Sequence, residues 1–209
     1  MDGITNLWAF MAAGLLLNLT PGPDTFYILG RSTAQGSRVG LLSALGIGLG
    51  SLGHTLLAAF GLSALLATSA MAFVAVKLLG AGYLLWLGVK MLRRPGSSIT
   101  SDAARLEAAR PGKILREAFL TNLFNPKVAL FFLAFLPQFV KPGATAVSFV
   151  ILGLTFVATG LLWCAALALL SARLGDWLRR KGVAQRLDQL CGGLFILLGI
   201  NLLFARLKH

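Results

Sequence analysis

Two hydrophobic segments of the chain are interrupted, the first by Asn18-Leu19-Thr20-Pro21-Gly22-Pro23-Asp24 and the second by Asn122-Leu123-Phe124-Asn125-Pro126-Lys127. Each interruption puts proline and a charged side chain into an otherwise apolar run. Proline lacks a backbone donor and clashes one turn back, so we expect each stretch to break its helix and leave backbone groups unpaired. In a membrane such backbone persists only where protein or water covers it. Both interruptions should therefore face the interior, where a solute can bind.

The composition indicates a helical membrane protein. Of 209 residues, 57% are hydrophobic and 12% are charged. A membrane-spanning helix needs about 20 mostly apolar residues, and six segments, which we number as spans one to six, have this length: about 6–30, 40–64, 68–92, 115–140, 145–171 and 188–206. No remaining stretch suffices for a separate soluble domain. We therefore predict an all-α polytopic membrane protein with a single transmembrane domain, residues 1–209.

The positions of the basic residues predict the orientation of the chain in the bilayer. The formal net charge of +12 would suggest a nucleic-acid partner in a soluble protein. Here, however, fourteen Lys and Arg residues lie in or beside the odd-numbered loops, against three on the opposite side. The positive-inside rule then places the odd-numbered loops in the cytoplasm and both termini outside. Arg206 and Lys208, near the C-terminus, argue mildly against this orientation.

Span two carries Gly46, Gly50 and His54 at intervals of four residues, which puts them on one helix face. Glycines at this spacing allow helices to approach closely, so His54 should point into a packed interface. Two roles for His54 stay open: a buried, hydrogen-bonded imidazole, or a participant in proton or substrate handling. Span five has no charge, and we assign it to packing.

The chain also contains a repeat. A polar linker at about residues 93–113 separates two halves of three spans each, about 1–92 and 114–209, and we expect it to be cytoplasmic. Asn18 precedes the first interruption as Asn122 precedes the second, at an offset of 104 residues. Because each half has an odd number of spans, the second must run opposite to the first across the membrane. The sequence thus predicts a 3+3 inverted-topology repeat with helices one and four broken, an architecture that secondary transporters use for alternating access.

Asp24 and Lys127 are the charges that carry the functional argument. A charge at mid-membrane costs about 2.5 to 3.5 kcal/mol on insertion scales, so holding both there implies a compensating interaction. One reading is a mutual ion pair that neutralises the interior. The other is a zwitterionic substrate, whose carboxylate is bound by Lys127 and the amides of the two half-helix N-termini. Asp24 would then take the ammonium group or a coupled proton, and no metal or cofactor is needed.

Three motifs of the chain occur together: Thr-Pro-Gly-Pro-Asp at 20–24, Asn-Pro-Lys at 125–127 with the following Phe-Phe and Pro-Gln-Phe, and Leu-Leu-Gly-Ala-Gly-Tyr-Leu-Leu-Trp-Leu-Gly at 78–88. In this order they resemble the motifs of the LysE/RhtB family of bacterial amino-acid exporters. The resemblance implies export of amino acids or related metabolites across the inner membrane, energised by the proton gradient. It also implies a set of candidate substrate-site residues: Pro21, Gly22, Pro23, Asp24, Asn125, Pro126, Lys127 and, less securely, His54. Asp24 and His54 are the candidates for proton coupling.

Other classes of function fit the sequence less well. No HExxH or Gly-x-Ser-x-Gly motif is present, so an intramembrane enzyme is disfavoured. A passive channel or a non-transporting membrane scaffold would accommodate the glycine-rich spans but would leave the paired interruptions unexplained. The expected partners are an amino acid or derivative, a proton and the lipid bilayer, with no nucleic acid, and homo-oligomerisation stays open.

Overall fold

The computed structural model describes residues 3–64, 70–93, 110–141, 145–171, 173 and 182–204. These residues are almost entirely helical, with one isolated bridge between Ile4 and Val140. The helices are α1 (Leu7–Leu19), α2 (Pro23–Gln35), α3 (Ser37–Leu56), α4 (Ala70–Arg93), α5 (Pro111–Leu123), α6 (Pro126–Leu130), α7 (Ala146–Leu169) and α8 (Val183–Phe204). A π-helical segment, Leu57–Leu62, extends α3, and α6 continues through Phe131–Phe135 and Leu136–Phe139.

The first predicted break divides span one into α1 and α2. Thr20, which ends α1, and Gly22, which precedes α2, both have extended backbone. Pro23 takes the first position of α2, where its missing N–H group has no helical partner to lose. Asp24 therefore lies in the first turn of α2, where its carboxylate is favoured by the helix dipole.

The second predicted break divides span four into α5 and α6. Asn125 is the N-cap of α6, and its Oδ1 accepts a hydrogen bond from the Lys127 backbone N–H at 3.0 Å. Pro126 takes the first helical position, as Pro23 does in α2. The two parts of the span are bent by 46°. Both breaks therefore lie where the sequence predicts them.

Two helices in the described part of the chain are long and apolar enough to cross a membrane, Ser37–Leu62 and Ala146–Leu169. The bent pair Pro111–Leu123 and Pro126–Phe139 makes a third if it is counted as one span. These findings confirm an all-α membrane protein, while the six spans and the 3+3 inverted repeat stay a prediction. Most of the predicted linker, at residues 94–109, lies outside the described residues.

Helix α3 packs between α5 and α7 through residues with small side chains. A Cβ atom added at Gly46 would lie 2.6 Å from the Leu115 carbonyl oxygen of α5, and one added at Gly50 would lie 2.8 Å from Asn122 Cβ. A Cβ atom added at Gly153 of α7 would also lie too close to the Thr55 side chain of α3. Because Gly46, Gly50 and His54 are all buried, the predicted packed face of span two is confirmed.

The third helices of the two predicted halves, α4 and α8, also pack against each other. Their backbones approach at Gly88 and Gly192, where a Cβ atom added at Gly88 would lie 2.7 Å from the Gly192 carbonyl oxygen. Glycine is required there because any larger residue would force the helices apart.

A phenylalanine cluster joins the beginning of span one to the end of span four. The Phe10 ring of α1 lies 5.8, 6.2 and 5.4 Å from the rings of Phe131, Phe135 and Phe139, measured between centroids. Nearby, the Thr5 backbone N–H donates to the Phe139 carbonyl oxygen at 2.8 Å. The beginning of span one and the end of span four therefore lie at the same end of the helix bundle.

An ion-pair network joins α2 to α5 close to the end of α2 and the beginning of α5. Arg31 Nη2 lies 2.7 Å from Glu117 Oε2, and the Tyr27 hydroxyl donates to the same oxygen at 3.1 Å. Lys113 Nζ lies 3.9 Å from the other carboxylate oxygen. The Arg31 side chain is only 4% exposed, whereas that of Lys113 is 68% exposed.

Glu117→Gln should destabilise the protein more than Lys113→Met. The first change removes the charge of Glu117 from its bond with the buried Arg31 guanidinium, and because the Glu117 side chain is itself 36% exposed, the loss is about 1 to 3 kcal/mol. The second removes only an exposed pair, worth less than about 1 kcal/mol. Thermal unfolding of the purified variants in detergent, followed by intrinsic fluorescence, measures the difference. Equal midpoints for the two variants would contradict a stabilising Arg31–Glu117 pair.

Candidate functional site

Asp24 is held by two asparagine side chains from the other broken span. Its Oδ2 accepts hydrogen bonds from Asn122 Nδ2 at 2.8 Å and from Asn125 Nδ2 at 3.1 Å. Its Oδ1 is buried and has no hydrogen-bond partner among the residues that the structure describes. A buried carboxylate oxygen without a donor is unfavourable until a ligand, a proton or water completes it. One oxygen thus fixes the position of Asp24, and the other stays available.

Asn122 connects Asp24 to span two. Its Oδ1 accepts a hydrogen bond from Ser51 Oγ at 3.1 Å, and its backbone carbonyl oxygen lies 3.2 Å from His54 Nε2. Because a carbonyl oxygen only accepts, the Nε2 atom must carry the hydrogen. The His54 ring also stacks on Phe132 at 5.6 Å between centroids. His54 is therefore a buried, hydrogen-bonded imidazole, and Asn122 lies between it and Asp24.

Lys127 reaches from the second break to the first. Its Nζ donates to the Thr20 carbonyl oxygen at 2.8 Å, at the carboxyl end of α1 where carbonyls lack helical partners. A Cβ atom added at Gly22 would lie 3.5 Å from the same Nζ atom. Each break thus supplies one charged side chain that bonds to polar groups of the other break.

The described ion pairs are Arg31–Glu117 and Lys113–Glu117, and neither involves Asp24. The first interpretation of the two membrane-depth charges, a direct Asp24–Lys127 ion pair, is therefore not what the geometry shows. The carboxylate is instead held by amide donors, which leaves its charge to be used by another group.

A cavity of about 30 Å³ lies between the two breaks and α3 and α7. A water molecule needs about 10 to 15 Å³ of such space, so the cavity holds about two waters and no amino acid. Its polar residues include Asn18, Asp24, Thr25, Ser51, Asn122, Asn125 and Lys127, and Ile47, Phe156, Val157 and Leu161 are among its apolar residues.

The structure brings half of the predicted site residues to this cavity. Gly22, Asp24, Asn125 and Lys127 line it. The other four do not line it: Pro21, Pro23, Pro126 and His54. The prolines shape the two breaks, and His54 contacts the site only through Asn122.

Span five packs against α3, as the sequence analysis assigns it, but it also borders the cavity. Helix α7 contributes Phe156, Gly160, Trp163 and Cys164 to the cavity wall. The prediction missed this because α7 has neither a charge nor a proline break, and its contribution arises from packing against the two breaks. An uninterrupted apolar helix gives no local signal that one of its faces borders a polar cavity.

Sequence reasoning also missed four polar residues of the wall: Asn18, Thr25, Ser51 and Asn122. A signal for two of them was present, because Asn18 and Asn122 stand before the two breaks at equivalent positions. We used that correspondence to recognise the repeat and not to assign the site. Ser51 lies one turn before His54 on the packed face of α3, which is a weaker signal.

A helical membrane protein whose polar cavity lies at two helix breaks belongs to the class of membrane translocators. The LysE type translocator family model matches residues 15–206, and the chain belongs to this family. The match confirms the resemblance found in the sequence. It also identifies the protein as a transporter and not an enzyme.

Relatives in three bacteria cover nearly the whole chain. An uncharacterized membrane protein of Pseudomonas aeruginosa is 35% identical over 99% of this chain and 98% of its own length. One of Vibrio cholerae is 32% identical, over 97% and 98%. The homoserine/homoserine lactone efflux protein of Salmonella typhimurium is 30% identical, over 95% and 96%. No solved structure matches the chain.

Proposed function

We propose that the protein is a secondary transporter that exports amino acids or closely related small metabolites from the bacterial cytoplasm across the inner membrane. The observation that carries this proposal is the buried Asp24 carboxylate, which borders a closed cavity with one oxygen unpartnered. Membership of the translocator family supports a role in transport. Similarity to the efflux protein of Salmonella typhimurium supports outward transport of a small substrate.

The two breaks would divide the recognition of a zwitterion between them. The substrate ammonium group would bind the available Oδ1 of Asp24. Its carboxylate would bind Lys127 and the free backbone amides at the beginning of α2, since helix N-termini favour anions. The contacts of Lys127 with Thr20 and Gly22 support this arrangement, because they bring a cation against the first break.

Alternating access and proton antiport complete the proposal. Two inverted halves, each with one broken helix, would rock about the cavity and open it to one side at a time. A proton would occupy Asp24 when the ammonium group leaves, so that one site serves substrate and proton in turn. His54, joined to Asp24 through Asn122, is the second candidate for proton coupling. The basic odd-numbered loops would be cytoplasmic and both termini outside.

Counterflow in proteoliposomes tests the proposal. Vesicles containing the purified protein are loaded with one unlabelled amino acid, and uptake of the labelled form is followed across a panel of hydroxylated, aliphatic and basic amino acids. A carrier gives saturable, transient accumulation of a few related substrates, and an acidic exterior accelerates their efflux if protons are exchanged. Uptake without saturation would indicate a channel. No uptake by folded protein would support a scaffold or a different metabolite.

A further inference from the structure

Three buried polar atoms of residues around the cavity have no hydrogen-bond partner. They are Asp24 Oδ1, Asn18 Nδ2 and Trp163 Nε1. The proposed function uses the first of these atoms for an ammonium group. It assigns nothing to the other two, although they belong to different helices, α1 and α7.

The Trp163 indole has a restricted hydrogen-bonding chemistry. Its N–H group is a donor only, so an acceptor oxygen must complete it. Leaving such a donor buried and unpaired is unfavourable, and a phenylalanine would pack against the same apolar cluster, which includes Ile47 and Leu167, without that cost. A water molecule would be able to complete the N–H group, since the cavity has room for about two. A substrate that displaces the water must bring an oxygen of its own.

The Asn18 amide lies on the same side of the cavity as Trp163. A Cβ atom added at Gly160 would lie 3.4 Å from Asn18 Nδ2, and Gly160 stands one turn before Trp163 on α7. Asn18 and Trp163 therefore both border the cavity along one stretch of α7. The charged residues Asp24 and Lys127 belong instead to the two breaks.

This inference rests on the proposed function. We infer that Trp163 is a specificity-determining residue, which donates its indole N–H to an oxygen of the substrate side chain, with the Asn18 amide as a second contact. The two breaks bind the ammonium and carboxylate groups that all amino acids share. Trp163 and Asn18 then distinguish their side chains, so the site prefers small amino acids with a side-chain hydroxyl or carbonyl oxygen over aliphatic ones of equal size.

Pairs of amino acids with matched shape test this inference. Homoserine and norvaline differ by a hydroxyl in place of a methyl group, and so do threonine and valine. In counterflow, the unmodified protein should prefer the hydroxylated member by about tenfold, as expected for one buried hydrogen bond. Trp163→Phe keeps an aromatic ring and removes the donor. It should bring the ratio close to one by weakening the hydroxylated substrates, and leave norvaline and valine within about twofold.

Trp86→Phe is the matched control. Trp86 is 52% exposed on α4, with Lys90 Nζ 4.6 Å from its ring centroid, and it does not line the cavity. The same chemical change at this position should leave the substrate ratio unchanged. Asn18→Leu, which keeps the number and branching of the side-chain heavy atoms, should reduce the ratio in the same direction as Trp163→Phe, and it serves as the test if Trp163→Phe does not fold.

The outcomes separate this inference from the proposed function. Exchange by the unmodified protein with a ratio that Trp163→Phe and Asn18→Leu leave unchanged overturns the inference alone. Equal losses for both members of each pair also overturn it, because they indicate that Trp163 only packs. Absence of any amino-acid exchange overturns the proposed function and the inference together.

Discussion

Asp24→Asn is expected to abolish amino-acid counterflow while the protein stays folded and inserted. An asparagine at this position can still accept hydrogen bonds from Asn122 and Asn125 through its own Oδ1. Its other atom is then an amide donor facing the cavity, which repels an ammonium group and cannot exchange a proton. Loss of a desolvated charge partner costs about 2 to 5 kcal/mol, so we expect at least about a thirtyfold fall in exchange rate.

Two measurements accompany the Asp24→Asn experiment. Gel filtration and thermal unfolding in detergent establish that the variant is folded, and Asp24→Glu, which restores the charge on a longer side chain, should recover part of the activity. Full exchange by folded Asp24→Asn would remove this aspartate from the mechanism.

Lys127→Met should have a comparable effect on transport and an additional effect on stability. The variant loses the cation that we propose for the substrate carboxylate. It also removes the hydrogen bond to the Thr20 carbonyl oxygen, and the loss of one hydrogen bond from a charged donor lowers the free energy of unfolding by about 1.5 to 3 kcal/mol. Counterflow with amino acids and thermal unfolding in detergent measure the two effects. Lys113→Met makes the same chemical change on an exposed lysine outside the cavity, so it should transport normally.

The chemistry of the substrate separates a role in binding from a role in packing at Lys127. Amino-acid amides keep the ammonium group but lack the carboxylate. The loss in Lys127→Met should therefore be larger for amino acids than for their amides, measured as the ratio of counterflow rates. Equal losses would indicate that Lys127 holds the first break together without contacting the carboxylate.

The sequence predicts the breaks and the packed glycine face because both have local causes. Proline removes a donor wherever it stands, so Pro23 and Pro126 begin new helices in the structure as the sequence suggests. Gly46 and Gly50 recur at helical spacing, and the spacing alone identifies their face. These features require no knowledge of which helices are neighbours.

The connections across the cavity depend on tertiary packing and are not encoded locally. Nothing near Asn122 in the chain indicates that its side chain donates to Asp24 or that it accepts from Ser51. In the same way, the approach of Lys127 to Thr20 follows from the juxtaposition of two breaks that are about a hundred residues apart. A carboxylate and a lysine at similar depth are compatible with a direct ion pair or with a zwitterionic ligand between them. In the structure two asparagine amides donate to Asp24, and Lys127 donates to the Thr20 carbonyl oxygen.

The Arg31–Glu117 ion pair bears on the proposed transport cycle. Arg31 follows the first break and Glu117 precedes the second, so the pair ties together the two predicted halves of the protein at one end. If that end is the cytoplasmic one, as proposed, admission of substrate would require the pair to separate. The free energy of separating the pair would then lower the population of the form that admits substrate, so the apparent affinity for a cytoplasmic solute would be weaker than the intrinsic affinity of the cavity.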